Sequence, residues 1–348
     1  MDESIKECEA LYLLEPHKVQ LDKRTVPNLG PKDILVKMIT ASICETDFKI
    51  YLGSIKTKKT PIILGHEGFG EVIDKGNKVR YVDVGDYVLI DPNIVDNTCF
   101  LCRIGKSNLC LYGGLMGRDD DGLFSEYLVI EETKVYKLPK TINHTTAPLL
   151  QPLSTAIHAQ NIIEIKPGDK VVILGGGVMG LMHLQLAKLR GAQTTVVELN
   201  PIRAKNAKRL GADVVLEQDV GTVVDKVKEI LGGGADVVIE CIGIPKAVEA
   251  AIKMVRPGGT ILLFGISTES ARLDLYQMYF YEVKLQASRS STPKDFVEAI
   301  ELVASGRIDL MPYVSKTIDF RKLPEAFEEL KQEKDKVIRY IATFSGIH

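Results

Sequence analysis

The spacing of apolar residues changes partway along the chain. Up to about residue 150, short apolar runs such as 34–38 and 87–90 lie between glycine, proline and aspartate residues, which is typical of short strands joined by tight turns. Strands that are apolar on both sides are buried on both faces, so unbroken apolar runs that alternate with helical stretches predict a parallel α/β sheet. Beyond about residue 155 such runs cover residues 171–174, 194–198, 213–216, 237–240 and 260–264.

The tail from about residue 293 carries a helical pattern again, as in residues 296–303. With 348 residues the chain is too long for one ordinary hydrophobic core, so two domains are expected. We predict a β-rich domain over residues 1–154, a doubly wound parallel α/β domain over 155–292, and a further segment over 293–348.

Composition limits the partners and the compartment. A net charge of −2 gives no attraction for a polyanion, so nucleic acid is not an expected partner. No apolar run is long enough to span a membrane, and the acidic residues 1–4 lack the apolar core of a signal peptide. Six cysteines, three of them clustered, favour metal binding in a reducing compartment over a disulfide framework. We therefore expect a cytoplasmic protein.

A glycine-rich turn opens the predicted α/β domain. Residues 175–180 read Gly-Gly-Gly-Val-Met-Gly, follow a predicted strand and start a predicted helix, as the dinucleotide-binding pattern requires. Gly175 is expected to turn the chain, Gly177 to admit the diphosphate, and Gly180 to pack the helix against the strand. Val178 and Met179 then lie at the helix N-terminus, where unpaired N–H groups favour anions.

An acidic residue ends the second predicted strand of that domain. Glu198 can bind the adenosine ribose hydroxyls of NAD and repel the 2′-phosphate of NADP. Asn200 and Arg203 lie close by in the sequence and keep NADP open as an alternative. The other interpretation of residues 175–180 is a glycine-rich turn that binds no ligand.

The first domain contains three residues of the types that bind catalytic zinc. Cys44 is followed 22 residues later by His66 and Glu67, and a catalytic zinc uses thiolate, imidazole and carboxylate ligands while keeping one position open. A zinc protease would need a second histidine at position 70, which is Gly70.

Three segments resemble the zinc-dependent medium-chain dehydrogenases. Residues 65–79 match Gly-His-Glu-x2-Gly-x5-Gly-x2-Val, residues 44–47 resemble Cys-x-Thr/Ser-Asp, and residues 151–158 resemble the start of the cofactor domain in sorbitol-type enzymes. The resemblance covers nearly the whole chain. It implies a GroES-like catalytic domain split around a Rossmann domain, so that residues 293–348 return to the catalytic domain. It also implies an active site in the cleft between the domains and a homodimer or homotetramer.

The resemblance assigns roles to particular residues. It implies that Cys44 and His66 bind zinc and that the Thr46 hydroxyl starts a proton relay. Glu67 either binds the metal or lies behind it. Gln151 stands where sorbitol-type enzymes have a glutamate that binds zinc or its water.

Lys49 stands where the family usually has a relay histidine. A lysine there can pass a proton, bind an acidic group of the substrate, or simply lie on the surface.

A second set of metal ligands resembles the structural zinc lobe of the family. Cys99, Cys102 and Cys110 have the spacing of its last three cysteines, and Asp96 stands in the place of the first. An aspartate oxygen is an acceptable zinc ligand. An empty lobe and a metal-free thiol cluster are the alternatives.

These observations together predict a zinc-dependent enzyme that transfers hydride between a secondary alcohol and NAD. A polyol, cyclitol or sugar-like substrate is favoured by residues 151–158 and by the charged segment 118–121. A simple alcohol or threonine-type dehydrogenase is the alternative within the family. Cys44 and His66 argue against the zinc-free quinone or enoyl reductases. A catalytically silent nucleotide-binding protein is the alternative from another class.

Overall fold

A computed structural model describes residues 6–344, so residues 1–4, on which the argument about a signal peptide rests, lie outside the described part. The chain divides into two compact units. The first comprises Met1–Pro152 and Thr292–His348, and the second comprises Leu153–Ser291. No helix in the described part is both long and apolar enough to cross a bilayer.

Short strands dominate the N-terminal part, as its apolar runs predict. Its strands are β1 (Glu7–Glu15), β2 (Lys18–Thr25), β3 (Asp33–Ser42), β4 (Ile62–Ile63), β5 (Gly68–Lys75), β6 (Tyr87–Ile90), β7 (Asn93–Ile94), β8 (Gly114–Leu115), β9 (Tyr127–Glu131) and β10 (Val135–Lys137). Its helices are α1 (Glu45–Tyr51) and α2 (Phe100–Arg103).

Strands and helices alternate in the middle of the chain. The helices are α3 (Leu150–Asn161), α4 (Val178–Leu189), α5 (Pro201–Arg209), α6 (Val224–Leu231), α7 (Pro245–Met254) and α8 (Leu275–Phe280). The strands are β11 (Lys170–Leu174), β12 (Gln193–Val197), β13 (Val214–Leu216), β14 (Ala235–Glu240), β15 (Val255–Leu263) and β16 (Lys284–Ala287). The C-terminal part contains α9 (Pro293–Ala304), β17 (Val314–Asp319), α10 (Leu323–Glu333) and β18 (Arg339–Thr343).

The first unit is built on a seven-stranded sheet. Its order is β10-β6-β5-β3-β18-β17, and β9 also pairs with β3. Smaller sheets have the orders β2-β1-β4 and β7-β8. The helical pattern of the tail is confirmed by α9, but β17 and β18 were not predicted. Because β18 pairs with β3, the tail places its side chains beside the segment that leads to Cys44.

The second unit confirms the predicted doubly wound sheet. Its six strands are parallel in the order β13-β12-β11-β14-β15-β16. This is the order of dinucleotide-binding folds, which bind their ligand at the carboxyl ends of the strands where the order reverses, here between β11 and β14. Gly175 directly follows β11, and Glu198 is the first residue beyond β12.

Candidate active site

The structure brings Cys44, His66 and Glu67 together. Cys44 caps the N-terminus of α1, and the other two lie between β4 and β5. One donor atom from each side chain lies within 4.8 Å of the other two. His66 and Glu67 are buried, whereas Cys44 is half-buried.

Asp47, on α1, contacts His66 and the backbone of Gly65 and Cys44. Its Oδ1 lies 3.0 Å from His66 Nδ1 and accepts a hydrogen bond from the Gly65 N–H at 3.2 Å, while Oδ2 accepts one from the Cys44 N–H at 2.9 Å. A carboxylate accepts this hydrogen bond, so Nδ1 carries a proton, and a metal that binds His66 would replace a proton at Nε2. Asp47 belongs to the motif 44–47, but its role was not predicted from the sequence.

The electrostatic surroundings of His66 favour a cation. Burial lowers the pKa of the imidazole, but the charges of Asp47 and Cys44 outweigh burial and raise the pKa well above its usual value. Positive charge is therefore stabilised at this position. A divalent ion at Nε2 fits that requirement.

Glu67 is wholly buried and is held from two sides. Ser42 Oγ donates a hydrogen bond to Oε2, and Arg339 Nη2 lies 3.2 Å from Oε1. The ion pair with Arg339 lacks an aligned N–H, so Oε1 has no hydrogen bond. A buried carboxylate oxygen without a hydrogen bond is costly, and a metal ion is one partner that satisfies it.

Arg339 was not anticipated from the sequence. It is buried in β18, and its Nη1 donates to the Ile43 carbonyl oxygen at 2.9 Å. Burial lowers the pKa of the guanidinium, but Glu67 and then Cys44 raise it above its usual value, so Arg339 is charged. The signal in the sequence is an arginine inside an otherwise buried strand, because such a charge needs a partner.

Three further predicted residues lie on helices of this part of the chain. Thr46 and Lys49 are half-buried on α1, and Gln151 is buried in the first turn of α3. The roles of all three residues stay predictions.

Asp96, Cys99, Cys102 and Cys110 form a second group of ligands, with one donor atom from each within 4.8 Å of the others. The sulfurs of Cys99 and Cys110 are 3.9 Å apart and all three cysteines are free. Two ligands of a tetrahedral zinc with Zn–S bonds of about 2.3 Å lie roughly 3.8 Å apart, so this spacing fits zinc and is too long for a disulfide.

Hydrogen bonds to Asp96 and Cys99 favour the negatively charged forms that bind a cation. The Cys99 N–H lies 3.1 Å from both Asp96 oxygens, and this bond lowers the pKa of Asp96. Backbone N–H groups of Cys102 and Leu111 lower the pKa of the Cys99 thiol. Burial raises the pKa of the Cys102 thiol to about 12. Binding of a metal is therefore needed to displace the thiol proton.

The glycine-rich turn in the second unit has the geometry of a phosphate site. A Cβ at Gly180 would lie 1.8 Å from the Gly175 carbonyl oxygen, so α4 approaches the turn as closely as glycine allows. Gly177 caps α4, and a Cβ there would meet nothing within 4 Å. Val178 and Met179 form the first turn of α4. The helix N-terminus thus faces open space that an anion can enter.

Glu198 fastens this turn to the end of β12. Its carboxylate accepts hydrogen bonds from the Gly176 N–H at 2.6 Å and from the Asn200 N–H at 2.7 Å. Asn200 in turn caps α5 through the N–H groups of Ile202 and Arg203. Arg203 therefore lies in the first turn of α5 and is half-buried.

Comparison with known proteins identifies the class. Residues 30–140 match the alcohol dehydrogenase GroES-like domain and residues 178–305 match the zinc-binding dehydrogenase family. The chain is 34% identical to L-threonine 3-dehydrogenase of Pyrococcus abyssi, over 89% of this chain and 91% of that one. It is 32% identical to sorbitol dehydrogenase of Ovis aries, over 93% of each.

A solved structure has the same fold throughout. It is a candidate zinc-binding dehydrogenase from Sinorhizobium meliloti 1021 bound to NADP, with 27% identity and a TM-score of 0.89 over 97% of this chain and 99% of that one. The chain therefore belongs to the zinc-dependent medium-chain alcohol dehydrogenases. It is an oxidoreductase that acts on alcohols, with zinc and a nicotinamide dinucleotide as cofactors.

Proposed function

We propose that the enzyme oxidises a secondary alcohol of the polyol, cyclitol or sugar-like kind with NAD. The observation that carries the proposal is the convergence of the Cys44, His66 and Glu67 donors in a chain that also has a dinucleotide fold. The alcohol loses a hydride and a proton and becomes a ketone, while NAD⁺ becomes NADH. Zinc supplies polarisation of the hydroxyl oxygen and NAD supplies hydride acceptance when they are bound.

Each site residue has a separate role in this reaction. Cys44, His66 and Glu67 hold the metal, and Asp47 fixes the ring of His66. The Thr46 hydroxyl takes the substrate proton towards solvent. Gln151 serves as a neutral ligand to the metal or to its water. In this account, residues 1–154 with 293–348 form the catalytic domain and residues 155–292 form the NAD-binding domain.

The charged segment 118–121 gives less support for a polyol than its sequence suggested. Arg118 Nη2 lies 2.6 Å from Asp119, and Lys59 lies 2.9 Å from Asp120 and 3.2 Å from Asp121. These side chains are engaged with one another. The preference for a polyol therefore rests on residues 151–158 and on the sorbitol dehydrogenase relative, whereas the threonine dehydrogenase relative supports the alternative.

The test is a panel of alcohols assayed for NADH formation with the zinc-loaded enzyme. It contains sorbitol, xylitol, myo-inositol, L-threonine and 2-propanol. We expect a polyol or cyclitol to have the highest kcat/KM among them. Oxidation of L-threonine alone would favour the alternative, and no oxidation of any secondary alcohol would contradict the proposal.

We expect a preference for NAD over NADP, because Glu198 carries the same charge sign as the 2′-phosphate. The repulsion should cost on the order of 1–3 kcal/mol, or roughly tenfold to a hundredfold in kcat/KM. Glu198→Gln keeps an acceptor for the Gly176 N–H and should reduce the ratio of kcat/KM with NAD to kcat/KM with NADP. The control Glu229→Gln, at an exposed position, should leave this ratio unchanged. A wild-type preference for NADP would assign the choice to Asn200 and Arg203 instead.

We also propose a homodimer joined at β16, with a homotetramer as a further assembly of dimers. Within residues 6–344, β16 pairs only with β15, so its outer edge is open to a second copy. The adjoining α8 exposes Tyr276, Tyr279 and Phe280, and Tyr279 is 84% exposed. Light scattering should show a dimer or tetramer that Tyr279→Glu weakens. A monomeric wild type would contradict this.

A reducing, cytoplasmic setting suits the thiolate ligands of both metal groups. Cell fractionation tests it, and recovery of the enzyme mainly outside the cytosol would contradict it.

A further inference from the structure

Three lysines, one on α1 and two in the loop after it, have no ion-pair partner in the described part of the chain. Lys49 is half-buried on α1, and Lys56 and Lys58 are exposed in the loop that follows it. Among residues 6–344 none of the three forms an ion pair. We call Lys49, Lys56 and Lys58 the cationic rim.

Lys49 lies on the same face of α1 as the predicted relay residue. The opposite face is buried through Asp47, Phe48 and Ile50. Thr46 and Lys49 are three residues apart, so they are neighbours on the less buried face. Five residues of helix rise about 7.5 Å, so the long side chain of Lys49 can reach a substrate held at Cys44.

Backbone hydrogen bonds connect the loop that contains Lys56 and Lys58 to the chain segment next to His66. The Lys58 N–H donates to the Arg118 carbonyl oxygen at 2.9 Å. The same segment continues to Leu123, whose N–H donates to the Gly65 carbonyl oxygen at 3.0 Å, next to His66. Segment 118–123 therefore connects the loop after α1 to the residue that precedes His66.

The three carboxylates of residues 119–121, which follow the Arg118 that bonds Lys58, already have partners. Asp119 pairs with Arg118, and Asp120 and Asp121 pair with Lys59. Lys58 acts on Asp119 and Asp120 only from beyond ion-pair distance. Lys49 itself forms no ion pair with any residue in 6–344.

We propose that the substrate carries an anionic group, a carboxylate or a phosphate, which Lys49 binds while the metal group holds the hydroxyl. Lys56 and Lys58 raise the local concentration of such a substrate. This inference rests on the proposed function and narrows its substrate class to sugar acids or phosphorylated polyols. Lys49 then determines specificity, and no proton relay through it is needed.

The experiment compares sorbitol, gluconate and sorbitol 6-phosphate as substrates of the zinc-loaded enzyme with NAD. We expect one of the two anions to exceed sorbitol in kcat/KM by about tenfold or more, with an advantage that falls as salt is added. A preference for gluconate identifies the anionic group as a carboxylate, and a preference for sorbitol 6-phosphate identifies it as a phosphate.

Substitution of Lys49 separates its possible roles. Lys49→Met should lower kcat/KM for the preferred anion by roughly tenfold to a hundredfold, mainly through KM, and should lower kcat/KM for sorbitol by a clearly smaller factor. Lys49→Arg should retain the preference for the anion, and the exposed control Lys253→Met should change neither. Lys49→Gln replaces Lys49→Met if the latter fails to fold. A further readout is the heat stability of the NADH-loaded enzyme, which the preferred anion should raise more than sorbitol does.

Two outcomes would overturn the proposal. One is a wild type that prefers sorbitol to both anions. The other is a Lys49→Met variant that loses activity equally on neutral and anionic substrates with an altered pH profile, since that result marks a proton relay. A wild type that oxidises no secondary alcohol would instead contradict the proposed function.

Discussion

Replacing Cys44 with serine is expected to lower kcat/KM for alcohol oxidation by about a thousandfold or more. Metal polarisation of the hydroxyl supplies several kcal/mol of transition-state stabilisation, and each 1.36 kcal/mol corresponds to about tenfold in rate. A serine hydroxyl does not provide the anionic, soft ligand that the thiolate does. The variant should also contain about one zinc per chain fewer than the wild type, as measured by elemental analysis.

The Cys44→Ser variant should still fold and bind NADH, because the glycine-rich turn belongs to the other unit. Cys8→Ser is a suitable control, since Cys8 is buried in β1 with Ser125 Oγ 3.5 Å from its sulfur. The control should keep both metal and activity. Full turnover by a Cys44→Ser variant shown to lack this metal would mean that the enzyme works without it.

Replacing Asp96 with alanine is expected to remove the structural metal and to lower Tm by roughly 5 °C or more. Folding of a small metal lobe depends on metal binding, and a loss of a few kcal/mol moves Tm by several degrees in a chain of this size. Zinc content should fall from about two to about one per chain. Turnover should stay within about threefold, because a closed site with four protein ligands has no position for substrate.

Asp96→Cys should act in the opposite direction, because a thiolate holds zinc more firmly than a carboxylate. Retention of zinc during dialysis against a chelator should improve, and Tm should rise. Asp22→Ala, at an exposed position on β2, is the control for the loss of an acidic side chain. A metal-replete structure with this lobe empty, or with Cys99 and Cys102 joined as a disulfide, would refute the assignment.

Much of the fold was accessible from the sequence because buried parallel strands leave an unambiguous pattern. The runs at 171–174 and 237–240 became β11 and β14, and the glycine turn follows β11 as predicted. By contrast, β17 and β18 were missed, since they are short strands in a tail whose helices give the stronger signal. Their pairing with distant strands depends on register, which the local pattern does not specify.

The candidate metal ligands were accessible because their residue types and spacing limit the chemistry. Cys44, His66 and Glu67 do converge, as does the group at Asp96. The supporting residues were harder to find. Arg339 lies almost 300 residues from Cys44, and only the pairing of β18 with β3 brings it to Glu67.

The charged segment 118–121 shows what a sequence leaves open about charges. Its charges favoured a polyol substrate, and in the structure they pair with each other and with Lys59. Local sequence shows that charges are present but not which partner each one has. Lys49 gained significance only once the nearby carboxylates were seen to be paired.

The most direct test of a zinc-dependent dehydrogenase is to remove the metal and titrate it back while NADH formation is followed. The Asp96→Ala variant suits this titration, since it should retain only the group at Cys44, His66 and Glu67. We predict that the metal-free protein is inactive and that activity rises in proportion to added zinc until about one ion per chain is bound. Full turnover by protein verified to be free of metal would contradict this account.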